Sequence, residues 1–230
     1  MIAGTTWLIP ELLPKLTHIP DGFLGLMVVG MAWVISIVAL AYAVTRTNRQ
    51  LGEKQVPLMG VMAAFIFAAQ MLNFPVAGGT SGHLIGGTLA SILLGPWAGM
   101  LVMTSVVAIQ ALIFQDGGLI SLGANILNMA VIACLVGYFL YVWMQRVLGD
   151  KASVSLVSAF VASWCSVFLA AIATAVQLAI SGTSPLQIAL PAMGGVHALI
   201  GIGEGLITAA ALAFITATRR DLVETEPTAD

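Results

Sequence analysis

The chain has 230 residues, 60% of them hydrophobic before its 24 glycines are counted, and only 8% charged, against roughly 25% charged in an ordinary soluble domain. So few ionisable groups cannot coat a water-exposed fold, and a mean hydropathy of +1.04 identifies an integral membrane protein. Eight Lys and Arg against ten Asp and Glu give a net charge of -2, with no basic stripe for a phosphate backbone, which argues against nucleic acid as a partner.

A membrane-crossing helix needs about 20 mostly apolar residues. Apolar runs between charges and Pro-Gly clusters predict an all-α bundle of seven segments, at residues 23–45, 58–74, 84–94, 96–114, 119–143, 156–180 and 192–217. The third is too short to cross alone, so it must extend into the Gly-rich stretch before it or be sheltered by its neighbours. Gly95-Pro96 makes a tight turn into the fourth. Gly60, Ala64 and Ala68 form a ridge of small residues at four-residue spacing, suited to an internal helix contact or to docking a partner membrane protein. Cys134 and Cys165 fall inside apolar runs and read as small fillers rather than a disulfide.

Cytoplasmic loops carry the excess of Lys and Arg. With seven crossings and the N-terminus outside, Arg46, Arg49, Lys54, Arg146, Lys151, Arg219 and Arg220 face the cytoplasm and Lys15 alone faces out. The expected layout is an extracellular arm at 1–17, a membrane domain at 18–218 and a cytoplasmic tail at 219–230. The arm lacks a positive start and a small-x-small cleavage site before Thr17, so it reads poorly as a signal peptide.

Ionisable groups at membrane depth are candidates for function. Here they gather at one end: His18 and Asp21 before the first segment, His83 opening the third, Asp116 in a Gln-Asp-Gly-Gly turn, and His197 and Glu204 entering the seventh from outside. His197 and Glu204 are two helical turns apart and share a face with Gly194, Gly201 and Gly205, which suits either a close helix contact or a ligand site. Neutral imidazoles without a carboxylate cage favour nickel, cobalt, copper or zinc over magnesium or calcium. Gln70, Asn73, Gln110, Asn125 and Asn128 place amides near the same end, to orient the histidines or to bond between helices.

Several stretches in order carry a resemblance: His-Ile-Pro-Asp-Gly-Phe-Leu from His18, Leu-Asn-Phe-Pro from Leu72, Gly-Gly-Thr-Ser-Gly-His-Leu from Gly78, Leu-Gly-Pro-Trp from Leu94, Phe-Gln-Asp-Gly-Gly from Phe114, Leu-Gly-Ala-Asn from Leu122, Asn128-Met129, and His-Ala-Leu-Ile-Gly-Ile-Gly-Glu from His197. Together they resemble the CbiM/NikM family, the substrate-binding (S) components of energy-coupling-factor (ECF) importers for cobalt and nickel. The likeness runs from about residue 18 to 217.

The resemblance implies seven helices, an extracellular N-terminus and a multi-pass place in a bacterial or archaeal cell membrane. It implies a near-planar nitrogen site in which His18 supplies amide and imidazole, His83 a second imidazole, and an N-terminal amine the fourth donor. Here seventeen residues precede His18. Either the chain is cut to expose the Thr17 amine, or the Thr17 amide, a water, Asp21 or His197 substitutes. The transported Co(II) or Ni(II) is cargo, with no catalytic cofactor implied. The implied partners are a coupling (T) membrane subunit, two ATPase subunits and a small accessory membrane subunit; no G-x-x-x-x-G-K-[ST] loop is present in this chain. Two other classes compete. An S component for a vitamin calls for an aromatic-lined pocket, against 7% aromatics here. An intramembrane metalloenzyme with Glu204 as base lacks an H-E-x-x-H pair.

Overall fold

The computed structural model describes residues 18–50, 55–71, 73–76, 80–149 and 151–218. Thr17 with the 1–17 arm, Lys54 and the 219–230 tail lie outside the described residues. In chain order the elements are α1 (Leu26–Gln50), α2 (Gln55–Gln70), an antiparallel hairpin of β1 (Asn73–Val76) and β2 (Thr80–His83), α3 (Gly87–Ile113), α4 (Leu122–Ile126), a π-helical turn (Leu127–Ile132), α5 (Ala133–Leu148), α6 (Ala152–Ile180) and α7 (Leu186–Thr218). The architecture is helical, as composition predicts, and the hairpin is an addition to it. Five helical stretches are long and apolar enough to cross a membrane, Leu26–Arg49, Gly87–Ile113, Leu122–Leu148, Ala152–Ile180 and Leu186–Thr218, with Val56–Gln70 a shorter apolar helix. The protein is a multi-pass integral membrane protein.

The expected boundaries shift where local chemistry overrides hydropathy. The second segment stops at Gln70 instead of residue 74, and Asn73 to Val76 pair as a strand with Thr80 to His83, because Pro75 cannot continue a helix and biases its predecessor to extended backbone. The third begins at Gly87 rather than Leu84, since Gly86 takes a left-handed φ of 81°. At Gly95 (φ 80°, ψ 163°) α3 is interrupted, where the sequence places a turn. The leg after it folds back on the leg before: a Cβ on Gly99 would stand 2.9 Å from the Cα of Ser91, an approach that a continuous helix would not permit. The seventh helix starts six residues earlier than hydropathy suggests, with Pro191 inside its second turn. α1 continues past Thr45 to Gln50, and Arg46 Nε donates to the Tyr42 hydroxyl at 2.8 Å.

Glycines set the closest helix contacts. On α7, Gly201 and Gly205 lie against Trp164 and Phe160 of α6 and Gly194 against Phe168 and Ile172, and Trp164 Nε1 donates to the Ala198 carbonyl at 2.9 Å. Gly137 of α5 takes Thr88 of α3 at contact distance. Small residues here replace the hydrophobic drive that lipid removes. Cys134 is buried, its thiol donating weakly to the Gly87 carbonyl at 3.5 Å, and both cysteines are free. By contrast Gly60, Ala64 and Ala68 are exposed on α2.

Candidate metal centre

The site forms where the segment before α1, the end of β2 and the turn before α4 meet. Residues 18–21 lie across that turn, tied by backbone donors. The His18 N–H donates to Asp116 Oδ1 (2.9 Å), the Ile19 N–H to Asn125 Oδ1 (3.1 Å), and Asn125 Nδ2 returns a bond to the Ile19 carbonyl (3.1 Å). The Gly118 N–H adds a bond to the same carbonyl at 3.0 Å. Asp21 accepts from the N–H groups of Leu119 (3.1 Å) and Ser121 (2.9 Å) just ahead of α4, where a carboxylate complements the helix dipole. The chain passes so closely that a Cβ on Gly117 (φ 102°) would lie 3.0 Å from His18 Cβ, and one on Gly118 would run into Asp21. This is why the turn needs two successive glycines. Trp33 and Ser36 of α1 hold its far side through the carbonyls of Ile120 (2.9 Å) and Gly123 (2.8 Å).

β2 delivers the second imidazole. The rings of His18 and His83 meet with centroids 4.5 Å apart at 62°, and their residues are only 4% and 6% exposed. A carbonyl can only accept, so His83 Nδ1 carries the proton in its 2.8 Å bond to the Leu84 carbonyl and Nε2 keeps its lone pair. Both ring nitrogens of His18 are buried without a hydrogen-bond partner, and Nδ1 stands 3.8 Å from Asp116 Oδ1, beyond hydrogen-bond reach. Burial lowers the His18 imidazole to about 4, opposed by the neighbouring Asp116. Burial, reinforced by His18, lowers His83 to about 3. Both rings are therefore neutral near pH 7, the form that binds metals.

The loop after His83 is held from two other helices. Glu204 of α7 accepts the Ile85 N–H on Oε2 and the Gly86 N–H on Oε1, both at 2.6 Å, and Gln70 of α2 donates to the Ile85 carbonyl at 2.6 Å. Glu204 thus braces the His83 segment and lines a separate small cavity beside Ile66 and Leu89. Asn128 bonds to Thr174 Oγ1 (3.0 Å) and exchanges bonds with Gln177 (2.9 and 2.8 Å), tying the π-helical turn to α6.

Below the two rings lies a cavity of about 40 Å³ lined by His18, His83, Asn125, Asn128, Met129, Thr174, Met193 and His197, among others. That volume admits an ion with a water or two. Of the residues singled out in the sequence, His18, His83, His197, Asn125 and Asn128 reach this cavity. Asp116, Asn125 and Asp21 fix the segment that carries His18, and Glu204 and Gln70 the one that carries His83. Asp21 does not line the cavity, and Asn73 is described in backbone only. Among the described residues, no three His, Cys, Asp or Glu side chains gather closely enough to hold a metal between them. Two imidazoles leave a first-row ion short of donors, so backbone groups or water must complete any shell. Thr174 and Met193 carry no signal in the sequence that sets them apart from any helix interior, and Met129 stands out only as part of the Asn128-Met129 stretch.

The sequence matches the family described as "Cobalt uptake substrate-specific transmembrane region" over residues 18–222. It is 46% identical to a provisionally named fused nickel transport protein, NikMN, of Archaeoglobus fulgidus, over 90% of this chain and 68% of the relative. It is also 46% identical to a provisionally named metal transport protein of Haloquadratum walsbyi, over 91% of this chain and 94% of the relative. A crystal structure titled as a transition metal transporter superposes with a TM-score of 0.81 at 34% identity, covering 87% of this chain and 92% of that one. The buried imidazole pair thus sits in a protein that belongs to the CbiM/NikM family.

Proposed function

We propose that this chain is the substrate-capture subunit of an ATP-driven ECF importer for divalent cobalt or nickel. The observation that carries the reading is the pair of buried, neutral imidazoles in edge contact, one with both nitrogens unpartnered and the other with Nε2 free. A buried polar atom without a partner is costly, and a ligated ion would supply one. The ion is bound from outside by the imidazoles of His18 and His83, with the His18 amide nitrogen and the Thr17 amine as further donors where the chain is cut before Thr17. Coordination through the His18 amide requires that it give up its proton, which now points at Asp116, so loading is proton-linked.

In this reading the chain crosses the membrane seven times, the interrupted α3 contributing two segments, with its N-terminus outside and its C-terminus cytoplasmic. ATP hydrolysis comes from two ATPase subunits through a coupling membrane subunit, with a small accessory membrane subunit alongside. The exposed Gly60, Ala64 and Ala68 ridge is the docking face for that assembly. The chain carries no chemistry of its own, and names of related proteins as metal transporters support transport over an enzyme.

The test is to purify the protein in detergent, establish its N-terminus by intact mass, and titrate it calorimetrically with nickel, cobalt, copper and zinc beside His18→Ala and His83→Ala. Tight binding lost in both variants is expected. Tight binding that survives in both variants, or its absence from the wild type, overturns the reading.

A further inference from the structure

His197 is not used by the proposed capture site, yet it is buried at 6% exposure and lines the same cavity as His18 and His83. It comes from a different wall. With 1.5 Å of rise per residue, it lies about 16 Å along α7 from the first residue of that helix. Its ring is fixed within its own helix: Nδ1–H donates to the Met193 carbonyl at 2.8 Å, which leaves Nε2 as the only nitrogen available to an ion.

The surroundings of His197 differ in kind from those of the outer pair. The outer pair meets a backbone amide and a carboxylate, a set of nitrogen and oxygen donors. The cavity is lined besides by Met129 and Met193, with Ala170, Ala171 and Thr174 of α6. A single imidazole holds Ni(II) or Co(II) more weakly than a chelating set of nitrogens. Met129 belongs to the π-helical turn Leu127–Ile132, an irregularity frequent at functional sites. A transport path needs such graded sites, strong enough to accept the ion and weak enough to let it go.

We propose that His197 Nε2 is a second, inner station for the transported ion, occupied in turn after the His18–His83 pair. This rests on the metal-capture reading and adds a position to it. Two divalent ions confined to one cavity of about 40 Å³ repel strongly, so the stations are used in succession and the binding stoichiometry stays at one.

The test uses the full chain in detergent with Ni(II) alone. His197→Ala is expected to keep equilibrium affinity within about threefold while slowing loss of bound Ni(II) to excess chelator by about tenfold, the signature of a lost exit step. General damage to the site would speed that loss. In parallel, the His18→Ala/His83→Ala double variant is expected to retain one weak Ni(II), weaker by about a hundredfold or more, that disappears when His197→Ala is added. Release from His197→Ala at the wild-type rate overturns the proposal, as does a double variant that binds no more than the triple. If the wild type itself binds no metal, the capture reading fails first; if it binds and release is unchanged, only the inner station fails.

Discussion

The backbone N–H of His18 donates to Asp116 Oδ1 at 2.9 Å, joining residues 98 positions apart and making the Gln-Asp-Gly-Gly turn the platform on which the first imidazole is set. Replacing Asp116 with Ala leaves a buried N–H unsatisfied, at a cost of about 1–3 kcal/mol, and frees the segment that carries His18. Asp116→Ala is expected to weaken Ni(II) binding by about 10–100-fold, and Asp116→Asn, which keeps an acceptor, by less. Calorimetric titration reads both, and an Asp116→Ala protein that binds like wild type refutes the platform role.

Because burial holds His18 at about 4 and His83 at about 3, neither ring has a proton to shed on binding metal near pH 7. Proton release measured there, by comparing binding enthalpies in buffers of different ionisation heat, reports the remaining donors: none from the two rings, about one proton if the His18 amide nitrogen coordinates, and most of a second if a Thr17 amine coordinates with it. For the metal-free protein the sign is fixed as well. Unfolded histidines take up protons below about pH 6.5 while the folded ones stay neutral until far lower. The histidine contribution is therefore neutral above pH 6.5 and destabilises progressively as pH falls from 6.5 toward 4, which thermal melts across that window check.

Glu204 spends both oxygens on consecutive backbone donors, Ile85 and Gly86, at 2.6 Å each. Gln in its place offers one acceptor and turns an NH₂ toward the other N–H. Glu204→Gln is expected to destabilise by about 1–3 kcal/mol and to raise hydrogen exchange at the Ile85 and Gly86 amides ahead of the helix cores. Exchange unchanged at those two positions contradicts the bracing role.

Gly118 has no space for a side chain, since its Cβ would coincide with the Asp21 carboxylate. Gly118→Ala should displace residues 18–21 and cost about 1–3 kcal/mol, with Ni(II) binding lost along with stability. A melting temperature and affinity equal to wild type would show that the crossing has room for a methyl group.

The exposed ridge on α2 is tested by bulk. Gly60→Leu, Ala64→Leu and Ala68→Leu face outward from the fold, so each is expected to shift stability by no more than about 0.5 kcal/mol and to leave Ni(II) binding intact. ATP-driven uptake with the partner subunits should fall sharply, and uptake at wild-type level in all three variants places docking elsewhere.

Much of this protein was legible in one dimension. Composition alone makes it a multi-pass membrane protein, and the Gly95-Pro96 pair marks the break in α3. Glycines spaced along α7 foretold a close helix contact, since only small residues let backbones approach without a hydrophobic drive. Hydropathy could not separate strand from helix around Asn73 and Pro75, nor anticipate a helix start at Leu186 ahead of Pro191, because a short apolar run scores the same in either conformation. What each polar residue does was decided only by tertiary structure. Asp116 and Asn125 seize backbone groups about a hundred residues away, Glu204 braces the loop behind His83, and His197, two turns from it on the same face, opens instead into the histidine cavity. Residue type sets which bonds a side chain can make, whereas which donors come within 3 Å of it is settled by helices packing around it.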